Sequence, residues 1–289
     1  MYPWLDRRGQ FSPFKTLVLM GLLLPAGSIA VDYWQGDLGA RPITEAIHQA
    51  GFWAIRLLFV SLAVTPFRQA LQWPKLILVR RMIGVAAFAY AALHLTLYAA
   101  DQMFDLAKVA SEIVLRIYLT IGFVALLCLA ALAVTSTDSM IRRLGGKRWR
   151  RLHQASYAIG LLASLHFFLQ AKANITEPLV MAGFFAWLMG YRLLVPFGAR
   201  AGAPAVWAMA ALGLVSTAGS ALGEAGYFWA SRGVNPALIL AADLSWDAGT
   251  RPAWIVLGAT LLLLLAIAFR RLQQSGFWQR ARPAIAGGA

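Results

Sequence analysis

Charge is scarce in this 289-residue chain. Only 13% of its residues are charged and 60% are hydrophobic, where a soluble domain carries about 25% charge. That balance, with a mean hydropathy of +0.64, excludes a water-soluble globule. Acids are scarcest, 12 Asp and Glu against 26 Lys and Arg. A single cysteine, Cys128, excludes an intramolecular disulfide and a thiolate metal site. Lying mid-span, it is expected to fill the core as a small apolar residue. There is no low-complexity tract, obvious repeat, P-loop, Ser-His-Asp arrangement or soluble nucleotide-binding domain. No small-residue cleavage motif follows the first apolar stretch, which is expected to be retained as a span.

What is present is a series of apolar stretches near 14–34, 51–67, 82–100, 117–135, 154–171, 178–195, 204–223 and 252–269. Several reach the roughly 20 residues that cross a bilayer as helix. The predicted fold is an all-α, polytopic membrane helix bundle. With the N-terminus inside, 19 basic residues fall in inner segments and 6 in outer loops, with Arg56 inside a span, and ten of the twelve acids fall outside. Such asymmetry follows the positive-inside rule and predicts eight helices with both termini cytoplasmic. The net charge of +14 therefore reports topology; the partner it implies is the lipid bilayer, not nucleic acid.

Two connections stand out. The inner loop TSTDSMIRRLGGKRWRR (135–151) is strongly basic, turns at Gly145-Gly146, and reads first as a topogenic loop. The outer segment from Gly223 to Pro252 is the longest loop and carries Tyr227, Phe228, Trp229 and Trp246. PFGARAGAP (196–204) separates a six-helix core, residues 1–197, from an extension of two transmembrane helices, residues 198–289. Trp34, Trp73, Trp149, Trp254 and Trp278 lie near span ends, where amphipathic rings anchor at the headgroups.

Three histidines carry the functional signal, because an imidazole in hydrocarbon is costly and calls for a partner or a task. His94 lies 13 residues beyond Arg81, and His166 lies 15 beyond Arg151, both running outward. At 1.5 Å per residue these depths are about 20 and 22 Å, so the two rings are expected to lie level in the outer leaflet. Two such helices can clamp a haem iron between one nitrogen each, leaving the other N–H for an acceptor. His153, at the inner face, is 13 residues before His166, which rotates an ideal helix by about 140°. A second haem there would face Arg80 and Arg81, which are not iron ligands. One haem, between His94 and His166, is the expectation. His48 is expected to be interfacial and wet. Arg56 has two readings, snorkelling toward the outer surface or pairing with a haem propionate or acidic quinone-like ligand.

The stretches TPFR (65–68), RRMIGVAAFAYAALHLTLY (80–98), RIYLTIGF (116–123), LAVTSTDSMIRRLGGKRWRRLHQASY (132–157) and LHFF (165–168) resemble the MsrQ family, within the ferric-reductase-like transmembrane group. The resemblance covers about residues 15–195. It implies a haem b carrier of the bacterial inner membrane whose ligand histidines match His94, His153 and His166, with FMN as a further cofactor. It also implies electrons drawn from the quinone pool and passed to a periplasmic, molybdopterin-containing, MsrP-like catalytic subunit that reduces protein methionine sulfoxide. Electrons from NADPH would have to come through a separate protein, such as a cytosolic flavin reductase.

The expected role is electron transfer with no substrate chemistry in this chain, because two histidines fill both axial positions. The rivals are another haem-containing ferric or quinone reductase and, in a different class, a transporter using His and Arg for protons or anions. Against transport, no span shows a Gly/Pro interruption paired with an equivalent in the other half. A purely structural assembly factor ranks third. Haem content separates the electron-transfer class from the other two.

Overall fold

The computed structural model describes residues 3–5, 9–171, 174–195, 202–245, 247 and 249–274. Asp6, Arg7, Arg8, Lys172, Arg200, Trp246, Trp278, Arg280 and Arg282 lie outside the described residues. Every regular element among the described residues is helical, apart from an isolated bridge between Leu5 and Phe11. That follows from the solvent: hydrocarbon offers peptide groups no partners, so each must bond within its own segment.

The helices are α1 (Pro13–Gln35), α2 (Pro42–Ala70), α3 (Ile77–Asp101), α4 (Leu106–Leu115), α5 (Ile117–Val134), α6 (Asp138–Leu144), α7 (Gly146–His153), α8 (Ala155–Gln170), α9 (Thr176–Leu194), α10 (Gly202–Arg232), α11 (Pro236–Ala242) and α12 (Pro252–Gln274). All eight expected stretches are helical. Six of them, in α1, α2, α3, α5, α10 and α12, are long and apolar enough to cross a membrane, making this a polytopic helical membrane protein. α8, with 16 residues, and α9 are not among the six.

Several local expectations are corrected. α2 begins at Pro42, not 51, and α10 continues to Arg232, so much of the expected outer loop is helix. The basic inner loop folds into α6 and α7, parted at Gly145, whose φ of +77° suits only glycine readily. Thr137 caps α6 by accepting from the Met140 N–H. Cys128 lies on the exposed face of α5, not in the core. Trp149 and Trp254 also do more than anchor, since their indole N–H groups donate to Thr135 O at 2.8 Å and Asp243 O at 2.5 Å.

The packing separates two compact units, Met1–Thr65 with Lys75–Met181, and Pro66–Pro74 with Ala182–Ala289. In the first, α5 packs against α3, α4 and α8, and α1 against α3. Pro25 interrupts the hydrogen-bond ladder of α1. One rung further on, the Tyr90 hydroxyl enters the helix, accepting from the Ala26 N–H and donating to Leu22 O, both at 2.8 Å. A side chain inserted into the ladder is a recognised way to accommodate a bent helix.

In the second unit α10 packs on α12. Their backbones approach at Gly213, where any Cβ would collide with the Thr260 side chain. Trp187, Tyr191, Met209, Leu263 and Ile267 form the core there. At one end Arg251 bridges Asp243 at 3.0 Å and Glu224 at 3.4 Å.

Tyr90→Phe leaves the Leu22 carbonyl and Ala26 N–H without their shared partner. It is expected to cost about 1–3 kcal/mol, read as a lower thermal midpoint in detergent. A second expectation concerns Asp138, whose pKa is held below its ordinary value by the 2.6 Å hydrogen bond from Arg81. A depressed carboxylate pKa adds stability that is present above the ordinary value of about 4. That stability is lost as pH falls through the folded value. Both side chains are about two-fifths exposed, so the effect is small. Between about pH 6 and pH 3 the thermal midpoint should fall more steeply in the wild type than in Arg81→Gln.

Candidate functional site: a paired-imidazole centre

The structure brings His94 of α3 and His166 of α8 together, with ring centres 6.3 Å apart and ring planes at 82°. Each ring is held from behind by a neighbouring helix. His94 Nδ1 lies 2.8 Å from Ile47 O on α2, and His166 Nδ1 lies 2.7 Å from Tyr118 O on α5. A carbonyl can only accept, so both Nδ1 atoms carry the proton and both Nε2 atoms keep their lone pairs. Neither Nε2 has a hydrogen-bond partner among the described residues.

This donor set fits a metal held end-on between two neutral imidazoles. Two metal–nitrogen bonds of about 2 Å, with ring radii of about 1 Å added, set ring centres about 6 Å apart. The Nδ1–H to carbonyl bond is the usual outer support of a ligating histidine. Haem iron, which accepts two axial histidines, meets both conditions.

Two glycines that sequence reasoning missed stand directly behind the rings. A Cβ added at Gly51 would lie 2.9 Å from His94 Nδ1, and one at Gly122 would lie 2.7 Å from His166 Nδ1. The available signal was that each is a glycine in a helix interior, which costs about 1 kcal/mol against alanine and so asks for a packing reason. The aromatic rings of Phe52 and Phe167, each one residue along from Gly51 and His166, pack on each other at 5.1 Å.

Arg56 is neither bare nor simply snorkelling. Its Nη2 pairs with Glu177 Oε2 at 2.9 Å, and its guanidinium lies 5.7 Å and 5.5 Å from the ring centres of Phe52 and Trp53. Glu177, at the start of α9, is a partner the sequence did not reveal, since 121 residues separate the two. His48 is half-exposed and 4.0 Å from Glu45.

His153 lies apart from the pair, at the end of α7. Both of its ring nitrogens already have partners: Nδ1 is 3.1 Å from Trp149 O, and Nε2 is 3.2 Å from Ser136 Oγ. The ring stacks on Trp149 at 3.9 Å. Burial lowers its pKa, opposed by bonds to backbone carbonyls, so neutral imidazole is favoured. His153 lines a cavity of about 790 Å³ with Lys15, Arg80, Arg81, Arg142 and Asp138. Four cations and one carboxylate, with Arg81 paired to Asp138, give that lining a positive balance.

Comparison with known proteins bears on the family. The family model described as ferric reductase like transmembrane component matches residues 50–164, which include His94 and His153 and stop two residues short of His166. The protein-methionine-sulfoxide reductase heme-binding subunit MsrQ of Rhodospirillum rubrum is 43% identical over 190 residues, covering 65% of this chain and 89% of that protein. The MsrQ of Xanthomonas campestris pv. campestris is 44% identical over 193 residues, covering 64% and 88%. That of Xanthomonas axonopodis pv. citri is 42% identical with the same coverage. No solved structure matches. With nearly nine-tenths of these relatives aligned at more than 40% identity, and with the paired imidazoles in place, the chain belongs to the MsrQ family of heme-binding membrane subunits.

Proposed function

We propose that this chain is a haem b electron-transfer subunit of a protein-methionine-sulfoxide reductase system. The observation that carries this is the pair His94 and His166, with both Nδ1 atoms bonded to helix carbonyls and both Nε2 atoms without a partner among the described residues. Haem held there by His94 and His166 would supply one-electron transfer. The chain's own part is to bind, orient and shield. His94 and His166 bind; the Ile47 and Tyr118 carbonyls hold the Nδ1 protons and fix the tautomer. Phe52 and Phe167, next in sequence to Gly51 and His166, pack on each other and join α2 to α8 with apolar surface. Arg56 offers a cation near the outer end of the site for a propionate, with Glu177 limiting its unpaired charge.

The finer assignments are ours as well. Electrons enter from the quinone pool or, by way of a cytosolic flavin reductase, from NADPH. They leave to a periplasmic, molybdopterin-containing, MsrP-like subunit. The chain sits in the bacterial inner membrane with both termini cytoplasmic, on the strength of 19 basic residues inside against 6 outside. FMN is proposed as a second cofactor, and the cavity beside His153 offers Lys15, Arg80 and Arg142 to its phosphate. His153 is proposed as a cofactor-binding residue of that inner cavity and not as the axial partner of His94, since both of its nitrogens are engaged locally. Residues 1–197 are proposed as the haem-carrying core and 198–289 as an added anchor.

A reduced-minus-oxidised spectrum of the detergent-purified protein tests the central assignment. A low-spin b-type spectrum is expected. His94→Ala and His166→Ala should abolish it or turn it high-spin, while His153→Ala should keep it. Folded protein that takes up no haem, or a spectrum indifferent to both His94 and His166, would falsify the proposal.

A further inference from the structure

The geometry points to Gly51 and Gly122 as positioning residues that set the two axial imidazole planes, each by opening a notch in a neighbouring helix. The same device occurs twice on unrelated sequence. In IHQAG (47–51) the carbonyl of Ile47 meets His94, and Gly51 follows four residues later. In YLTIG (118–122) the carbonyl of Tyr118 meets His166, and Gly122 again follows by four.

Helix geometry explains the spacing. A side chain in an α-helix tilts toward the N-terminus and lies over the turn before it. The carbonyl of residue i is therefore flanked by the side chain of residue i+4. With glycine at i+4 that flank is bare, and a side chain from another helix can reach the carbonyl. An alanine methyl at 51 would lie 2.9 Å from His94 Nδ1 and 3.1 Å from its Cε1. At 122 it would lie 2.7, 2.8 and 3.1 Å from His166 Nδ1, Cε1 and Cγ. These distances are below van der Waals contact, so each ring would have to leave its carbonyl or turn about its axis.

The inference rests on the proposed haem between His94 and His166. The carbonyl bond does two things for a ligand: it raises the basicity of the ligating nitrogen, and it fixes the ring's rotation. The two notches hold the planes at 82°. Near-perpendicular axial planes leave the iron orbitals nearly degenerate, and the ferric protein should then show one broad, large-g electron paramagnetic resonance (EPR) feature. Parallel planes would give a rhombic three-line spectrum instead. Loss of a carbonyl bond weakens donation to iron, which favours the reduced state and raises the midpoint potential.

The experiment compares wild type, Gly51→Ala, Gly122→Ala and Gly27→Ala by haem content, low-temperature EPR and redox titration. Gly27 is the control, a glycine of α1 whose added methyl would meet nothing within 4 Å. Expected are a large-g signal in the wild type and in Gly27→Ala, and a rhombic shift with a higher midpoint potential in the other two. Gly122→Ala should show the larger change. If either variant fails to accumulate, the wild-type EPR still decides, because a rhombic wild-type spectrum overturns the inference. Unchanged EPR and potential in haem-replete Gly51→Ala and Gly122→Ala overturn it too. Wild type that binds no haem instead overturns the proposal beneath it.

Discussion

A histidine inside a membrane can offer one nitrogen to a metal only if the other has an acceptor. Without one, an N–H is left unpaired in hydrocarbon, at a cost of several kcal/mol. Here the acceptors are the carbonyls of Ile47 and Tyr118, each belonging to a helix other than the one that carries the histidine. That single requirement ties four helices together: α2 behind α3, and α5 behind α8. It also explains two glycines in helix interiors, where glycine is otherwise a poor choice.

The same demand for satisfied polar groups recurs throughout the chain. The Tyr90 hydroxyl takes up a carbonyl and an N–H beside the Pro25 interruption of α1. Ser164, Ser220 and Thr260 bond back to carbonyls of their own helices, which lets small polar residues sit at close helix crossings. Arg56 with Glu177, and Arg251 with Asp243 and Glu224, keep guanidinium groups from standing alone.

The two imidazole environments divide the labour. Among the described residues, His94 and His166 each have one nitrogen bonded and one without a partner, the state a ligand needs. His153 has both nitrogens bonded and a ring stacked on Trp149, beside a cavity with four cations and one acid. The first arrangement leaves a nitrogen to offer a metal; the second leaves none among the described residues. The difference lies in what surrounds each ring, not in the residue type.

Composition alone placed the chain in a membrane, since eight apolar stretches and 13% charge permit little else. Counting from the basic ends put His94 and His166 at similar expected depths, because helical rise is a fixed length per residue; the count toward His166 assumed one helix from Arg151, where the structure has α7 and α8. The turn at Gly145 was legible for a related reason: adjacent glycines mark backbone that a helix avoids. Helix ends were read less well. α2 begins nine residues earlier than hydropathy suggested, because helix can continue past the apolar stretch that marks it in sequence. The Arg56–Glu177 pair, the insertion of Tyr90 into α1, and the carbonyl–glycine notches at 47/51 and 118/122 were out of reach. Each joins residues 43 to 121 positions apart. Periodicity reports which elements form and how long they run. Which carbonyl meets which imidazole depends on how two helices are rotated against each other, and only tertiary packing fixes that rotation.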